Sequence, residues 1–267
     1  MRRSGRRAVA ALAVAAMALG ALAACGDDDG DEDAGATTTS AAGETTEAAE
    51  EGVSEEVCTA YGDVSAAFNG EPDPEQVAAD LDVLEAEPPE EVAESLTVMT
   101  DAARAVLESG GEDFSSFEAP EFGEAQGEVD PYFFASCDYG TEAEVTTVDY
   151  GFEGLPSEVE AGRLAVLLTN EGSEPHEMVV VRKADGATES FDELLALPEE
   201  EAMAKVEEVG GGFVPAEGAQ SLALLDTTPG EYAAICFIPV GTTGPDAPGE
   251  GPPHFTEGMK TEFTVTE

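Results

Sequence analysis

Apolar residues between positions 54 and 140 recur every three or four residues, the spacing that lines one face of an amphipathic helix. The first apolar face consists of Val57, Tyr61, Val64 and Phe68. Ser54 precedes this face in the position of an N-cap, and Asp73, which is followed by a proline, begins a second helix in the same way. A last helical stretch, weakened by glycines and a proline, runs from about Pro120 to Cys137. The pattern predicts a small bundle of three or four helices in residues 54–140.

The pattern changes at residue 141, where short apolar and alternating stretches replace the helical spacing. The predicted strands are 145–152, 163–169, 177–182, 221–225, 231–237 and 261–266. Turn residues such as Pro229-Gly230 lie between them, and one helix is predicted around 191–209. Short strands separated by turns are typical of a β-sandwich. We therefore predict an α+β multidomain chain, with a helical bundle in 54–140 and a β-sandwich with one inserted helix in 141–267.

The first 24 residues are typical of an export signal rather than of a fold. Four arginines precede an apolar stretch that is too short and wrongly flanked for a comfortable membrane span. The stretch ends in Leu22-Ala23-Ala24-Cys25, which resembles the lipobox of bacterial lipoproteins. That resemblance implies cleavage before Cys25 and lipidation of its side chain. The alternative is an ordinary secretory signal that is followed by a chance cysteine.

Residues 25–53 combine many acidic residues with almost no large apolar ones, so they cannot bury a core. We predict a disordered tether that holds the folded part away from the outer face of the bacterial cytoplasmic membrane. The whole chain has a formal net charge of −49, which excludes nucleic-acid binding by phosphate neutralisation. A protein partner that docks through electrostatic attraction should present a cationic surface. Adaptation to a salty or alkaline habitat explains the same charge without any partner.

Four cysteines occur in the chain, and lipidation of Cys25 leaves three of them in an oxidising compartment. Three residues allow one disulfide and one free thiol, and three pairings can be drawn. Cys58 with Cys137 is the natural choice, because both belong to the helical region. That choice leaves Cys236 free, and binding to a metal would give it a reason to persist.

The chain contains only two histidines, and both lie in segments that suit a metal site. His176 follows an apolar run, Cys236 ends a strand-like stretch, and His254 is followed at a short distance by Met259. Two imidazoles, a thiolate and a thioether form the ligand set of a mononuclear blue-copper centre. Zinc accepts the same nitrogen and sulfur ligands.

Three segments resemble the cupredoxins, the plastocyanin- and azurin-like copper proteins. The segments are Asn170-Glu171-Gly172 with Pro175-His176-Glu177, then Pro229-Gly230-Glu231-Tyr232-Ala233-Ala234-Ile235-Cys236, then His254-Phe255-Thr256-Glu257-Gly258-Met259. The resemblance covers residues 141–267 and implies a Greek-key sandwich with His176 at the start of one strand and Cys236 at the end of another. It also implies that His254 and Met259 lie in the loop before the last strand. Seventeen residues separate Cys236 from His254, where the family more often has a handful.

These observations favour a lipid-anchored, extracytoplasmic copper protein that carries single electrons to or from a redox partner. A copper-delivery lipoprotein without electron transfer would use the same ligands. A metal-free module that binds envelope proteins is the third hypothesis. Enzymatic activity is not expected, because the chain has no phosphate-binding loop and too few histidines for a multicopper oxidase.

Overall fold

The structure is a computed structural model that describes residues 52–68, 73–244 and 247–267. The predicted signal peptide, the lipidation site Cys25 and the predicted tether up to residue 51 lie outside these residues. None of the helices in the described ranges combines the length and the apolar character needed to span a membrane.

The helical region begins where the sequence places its caps. The side-chain oxygen of Ser54 accepts a hydrogen bond from the Val57 N–H at 3.2 Å, and Asp73 accepts one from the Glu75 N–H at 3.0 Å. Such caps satisfy amide donors that have no partner within the helix. The elements are α1 (Glu55–Ala67), α2 (Pro74–Ala86), a 3-10 helix (Glu90–Val92), α3 (Ala93–Glu108) and α4 (Pro120–Ser136).

The C-terminal region forms two sheets. Their strands are β1 (Thr141–Val148), β2 (Gly151–Glu153), β3 (Glu158–Glu160), β4 (Gly162–Asn170), β5 (His176–Lys183), β6 (Val206–Val214), β7 (Gln220–Thr227), β8 (Gly230–Ile235) and β9 (Lys260–Thr266). One sheet has the order β2-β1-β4-β7 and the other has the order β3-β9-β8-β5-β6. The pairs β1–β4 and β3–β9 are parallel, and the remaining pairs are antiparallel. Together with the helices, these sheets confirm the predicted α+β fold class.

Strand β4 is buried on both faces, because the helices pack on the sheet side that faces away from the sandwich core. Leu164, Val166 and Leu168 belong to the core between the two sheets. Ala165 and Leu167 alternate with them and pack in a second core with the apolar faces of the helices. A strand that is covered on both faces has a continuous run of apolar residues in its sequence, as β4 does.

A disulfide joins the first helix to the end of the last, as predicted. Cys58 lies in α1 and Cys137 directly follows α4, and the two residues are 79 positions apart. Cross-links that close a loop of this size typically contribute about 2–5 kcal/mol to stability. Cys236 is free and buried.

A buried carboxylate ties the helices to the sheet. Asp130 in α4 accepts the hydroxyl hydrogen of Tyr61 in α1 and, at 2.7 Å, the N–H of Leu222 in β7. Burial raises the pKa of Asp130 from an ordinary 3.8 to about 6, although both hydrogen bonds act in the opposite direction. The charged form of this side chain is therefore disfavoured in the folded protein.

The predicted strand at 145–152 is wrong in its second half. Strand β1 ends at Val148, and the chain turns at Asp149 and Tyr150 before β2 pairs back on β1. The turn requires a left-handed backbone at Tyr150, whose φ is 69°. A tyrosine gives no sequence signal for such a turn, since this conformation favours glycine and asparagine.

The predicted single helix at 191–209 is also wrong. Two short helices, α5 (Phe191–Leu195) and α6 (Glu199–Met203), precede β6, which was missed. Pro198 has no N–H to continue a helix and instead precedes α6 as its N-cap residue. In β6, a side chain at Gly211 would place its Cβ 1.9 Å from the Met178 carbonyl oxygen, so only glycine fits there.

Candidate metal centre

Three side chains meet inside one end of the β-sandwich. One nitrogen of His176, the sulfur of Cys236 and one nitrogen of His254 all lie within 4.8 Å of one another. All three residues have zero solvent exposure. The structure thus brings together three of the four residues that the sequence singles out as metal ligands, in a place where solvent does not reach their side chains.

His176 is the first residue of β5, and strand pairing with β6 and β8 fixes its backbone. Its two ring nitrogens are buried and have no hydrogen-bond partner, although Nε2 lies 3.5 Å from the Asp149 carboxylate. Burial and the neighbouring His254 lower the pKa of His176. A neutral imidazole with an unpaired nitrogen is the form that binds a metal ion, and an unpaired buried polar atom otherwise costs free energy.

A close approach at Gly172 holds this histidine in place. A Cβ at that position would lie 2.5 Å from His176 Nε2 and 2.6 Å from the Asp149 Oδ1 atom. Glycine is therefore required for the loop to pass over the imidazole. The Gly172 N–H donates to the side-chain oxygen of the fully buried Asn170 at 2.8 Å.

Cys236 directly follows β8, where its sulfur is shielded from water. Burial raises the pKa of the thiol to about 12, although hydrogen bonds from the backbone of Glu177 and Ile238 act to lower it. Without a nearby cation this side chain stays a thiol at neutral pH. A bound metal ion reverses that preference, because a coordinating thiol loses its proton.

His254 opens the short helix α7 (His254–Glu257), after the loop that follows Cys236. Its Nδ1 lies 3.4 Å from the Cys236 sulfur, and its Nε2 lies 3.1 Å from the Glu174 carboxylate. The ring of Tyr150 approaches it edge-on at 5.1 Å between centroids. One nitrogen therefore faces the cluster while the other is held by an acidic residue.

The long segment between Cys236 and His254 does not keep the two residues apart, because its ends are joined. The His254 N–H donates to the Ile238 carbonyl at 2.8 Å, and the Phe255 N–H donates to the Cys236 carbonyl at 3.0 Å. One residue further into the loop, Pro239 and Pro253 form an isolated β-bridge. The two ends of the long loop therefore both lie beside the cluster.

Met259 lies between α7 and β9 and is fully buried. Its N–H donates to the His254 carbonyl at 3.1 Å, and its carbonyl accepts from the Cys236 N–H at 3.2 Å. These two bonds place the Met259 backbone next to two residues of the cluster. Its thioether is the fourth donor that the sequence predicts for this end of the sandwich.

The acidic residues that support the site give no pattern of composition in the sequence that predicts them. Asp149 lies beside His176, Glu174 beside His254, and the Glu177 carboxylate accepts the Phe237 N–H at 3.0 Å. With 59 acidic residues in the chain, no carboxylate stands out by composition. The signal available was position, since Glu174 and Glu177 flank His176 within the same motif.

No protein-family model matches this chain, and no curated protein matches it. Among solved structures, it is similar to reduced auracyanin from the photosynthetic bacterium Roseiflexus castenholzii, with 20% identity over 48% of this chain and 98% of that one, at a TM-score of 0.31. Auracyanin A, a blue copper protein from Chloroflexus aurantiacus, shows 16% identity over 47% and 98%, at 0.28. Rusticyanin from Thiobacillus ferrooxidans shows 17% identity over 48% and 79%, at 0.30.

These likenesses concern the fold alone, and the candidate metal ligands rest on the geometry of this chain. His176 begins one strand, Cys236 directly follows another, and His254 and Met259 lie between that strand and the last strand of the chain. Residues 141–267 thus form two packed sheets with a buried His-Cys-His cluster at one end and the buried Met259 next to it in the chain fold, which is the arrangement that the sequence resemblance predicts.

Proposed function

We propose that this protein binds one copper ion through His176, Cys236, His254 and Met259 and carries single electrons outside the cytoplasm. The observation that carries the proposal is the convergence of two imidazoles and a free thiol within 4.8 Å, with zero solvent exposure. Buried polar groups without a partner are costly, and a cation would give a ring nitrogen of His176 the partner that it lacks.

The donor types favour copper. Thiolate and thioether sulfur suit Cu(I), imidazole suits both oxidation states, and the combination is typical of blue-copper centres. The unpaired nitrogens of His176 and the free Cys236 fit this ion without any rearrangement of disulfides. Zinc would accept the same donors, but no feature of the described residues favours zinc over copper.

Electron carriage is favoured over copper delivery by the burial of the donors. Delivery requires ligands that a second protein can reach, whereas His176, Cys236 and His254 are all inaccessible. When bound, copper would supply a one-electron couple. The chain fixes the donor positions through strand pairing and backbone hydrogen bonds, so that little has to move when the charge of the ion changes.

The proposed location is the outer face of the bacterial cytoplasmic membrane, with lipid on Cys25. Support comes from the lipobox-like segment before Cys25 and from the Cys58–Cys137 disulfide, which is typical of oxidising compartments. The acidic chain favours a redox partner with a cationic docking surface, because opposite charge accelerates encounter.

Isolation of the protein from its native envelope tests the proposal. Detergent-extracted protein is expected to carry a fatty-acylated N-terminal Cys25 in mass spectrometry, and about one copper per chain. In voltammetry it should give a reversible one-electron wave. Tight Cu(I) binding without a reversible wave would indicate delivery instead. A native protein that contains no copper, and whose melting temperature is unaffected by copper, would indicate a metal-free interaction module.

A further inference from the structure

Glu174 contacts the one nitrogen of His254 that does not face the metal-ligand cluster. Its Oε2 atom lies 3.1 Å from His254 Nε2, while His254 Nδ1 lies 3.4 Å from the Cys236 sulfur. A carboxylate can only accept a hydrogen bond, so Nε2 carries the proton and Nδ1 presents its lone pair to the cluster. The contact thus selects the tautomer of His254 that binds a metal through Nδ1.

We propose that Glu174 is a positioning residue that fixes the ring of His254 and, through its negative charge, favours the oxidised copper ion over the reduced one. The inference rests on the proposed function and adds a determinant of the redox potential. Neither the sequence motifs nor the likeness to solved structures assigns a role to this residue.

Glu174 is itself held rigidly. Its Oε1 atom accepts the Tyr150 hydroxyl at 3.2 Å, and Oε2 also accepts the Gly241 N–H at 2.7 Å. Its backbone carbonyl accepts from the Asn170 side chain at 2.9 Å. Only 16% of the side chain is exposed. Three segments of the chain therefore meet at one carboxylate, and its position relative to His254 is fixed before any metal binds.

The conformation of Tyr150 is a second, independent observation that supports a role for the Glu174–His254 pair. Tyr150 has a left-handed backbone with φ of 69°, and its ring packs edge-on against His254. For a residue of this size the conformation is strained and persists only where the surroundings impose it. Here the strained turn brings both the ring and the hydroxyl of Tyr150 to the Glu174–His254 pair.

The charge of Glu174 affects the two oxidation states unequally. Cu(II) carries one more positive charge than Cu(I), so a nearby carboxylate stabilises it more strongly. A hydrogen bond from the outer imidazole nitrogen to a carboxylate also raises the basicity of the ligand, and loss of such a partner typically weakens metal binding by about 10–100-fold. Removal of the charge should therefore weaken Cu(II) binding more than Cu(I) binding, and the potential should rise.

The test compares Glu174→Gln with Glu171→Gln, which removes an equal charge from an exposed position in the same loop. We expect Glu174→Gln to reduce the ratio of Cu(II) to Cu(I) affinity by about tenfold, which corresponds to a potential higher by about 59 mV for one electron. Glu171→Gln should change the ratio by less than about twofold. Equal shifts in the two variants, or no shift in Glu174→Gln, would overturn the proposal.

Two further measurements keep the outcome decisive. If Glu174→Gln does not fold, Tyr150→Phe removes only the hydroxyl that holds Glu174, and a potential equal to that of the wild type would count against the proposal.

In the metal-free wild type, nitrogen NMR should show His254 protonated on Nε2, and protonation on Nδ1 would refute the positioning role. If the wild type binds no copper, the proposed function fails. If the wild type binds copper and is reduced and reoxidised reversibly, but Glu174→Gln has the same potential, only the inference about Glu174 is refuted.

Discussion

A Cys236→Ser variant treated with Cu(II) is expected to show no thiolate-to-copper absorption, whereas the wild type is expected to show an intense visible band. Serine preserves the approximate volume of the side chain, but its hydroxyl is a hard donor that copper accepts poorly beside imidazoles. The effect is expected to be complete, because Cys236 is the one free cysteine among the described residues. Absorption spectroscopy during titration with Cu(II) measures it directly.

The control for this variant removes the two cysteine sulfurs of the disulfide. A Cys58→Ser/Cys137→Ser protein should keep the visible band, since the disulfide lies in the helical region. It should also unfold more easily, by about 2–5 kcal/mol. A band that survives in Cys236→Ser, or that vanishes when the disulfide is removed from a folded protein, would contradict the assignment of Cys236 as the copper thiolate.

An Asp130→Asn variant is expected to become progressively more stable, relative to the wild type, as the pH rises from about 4 to about 7. The pKa of Asp130 is about 6 in the folded protein and 3.8 ordinarily, so the folded state keeps its proton while the unfolded chain loses it. Stability from this group is therefore fully present below pH 3.8 and is lost as the pH rises through about 6.

The size of the effect follows from the shift. About two pH units correspond to about 3 kcal/mol of unfolding free energy, and asparagine has no charge to lose. Denaturant unfolding of both proteins at several pH values measures the difference, and subtraction removes the background from the many other acidic groups. Tyr61, whose hydroxyl donates to Asp130, and the nearby Tyr139 both have pKa values raised mainly by burial, so neither titrates in this range.

Asp101→Asn provides the matched control, because Asp101 is exposed on the neighbouring helix α3. It removes the same charge without removing a buried carboxylate. A pH-independent difference between Asp130→Asn and the wild type would show that the Asp130 carboxylate is not disfavoured in the fold. A pH-dependent difference as large in Asp101→Asn would assign the effect to overall charge instead.

Local sequence signals predicted the helices and most strands because their causes are local. The cap at Ser54, the cap at Asp73 and the alternation along β9 each depend on residues within one turn or one strand. Strand β6 escaped prediction because a run of three glycines has no strand preference of its own. Its pairing with β5 decides the conformation, so tertiary contacts override local preference there.

The candidate ligands were likewise predictable from local sequence signals, whereas the acidic residues that contact them were not. Chain order and residue type were enough to single out His176, Cys236, His254 and Met259, but spacing alone left open whether the long loop would let them meet. Hydrogen bonds at the loop ends, between His254 and Ile238 for example, bring His254 beside Cys236 and His176 in the fold. Asp149 and Glu174 could not be found among so many acidic residues, because only the folded chain shows which carboxylates face a buried imidazole.

Anomalous diffraction at the copper edge, from crystals of the copper-loaded protein, tests the central claim most directly. The account predicts a single strong peak bounded by the ring nitrogens of His176 and His254 and the sulfur atoms of Cys236 and Met259. Peaks confined to the acidic surface, with none inside the cluster, would contradict it.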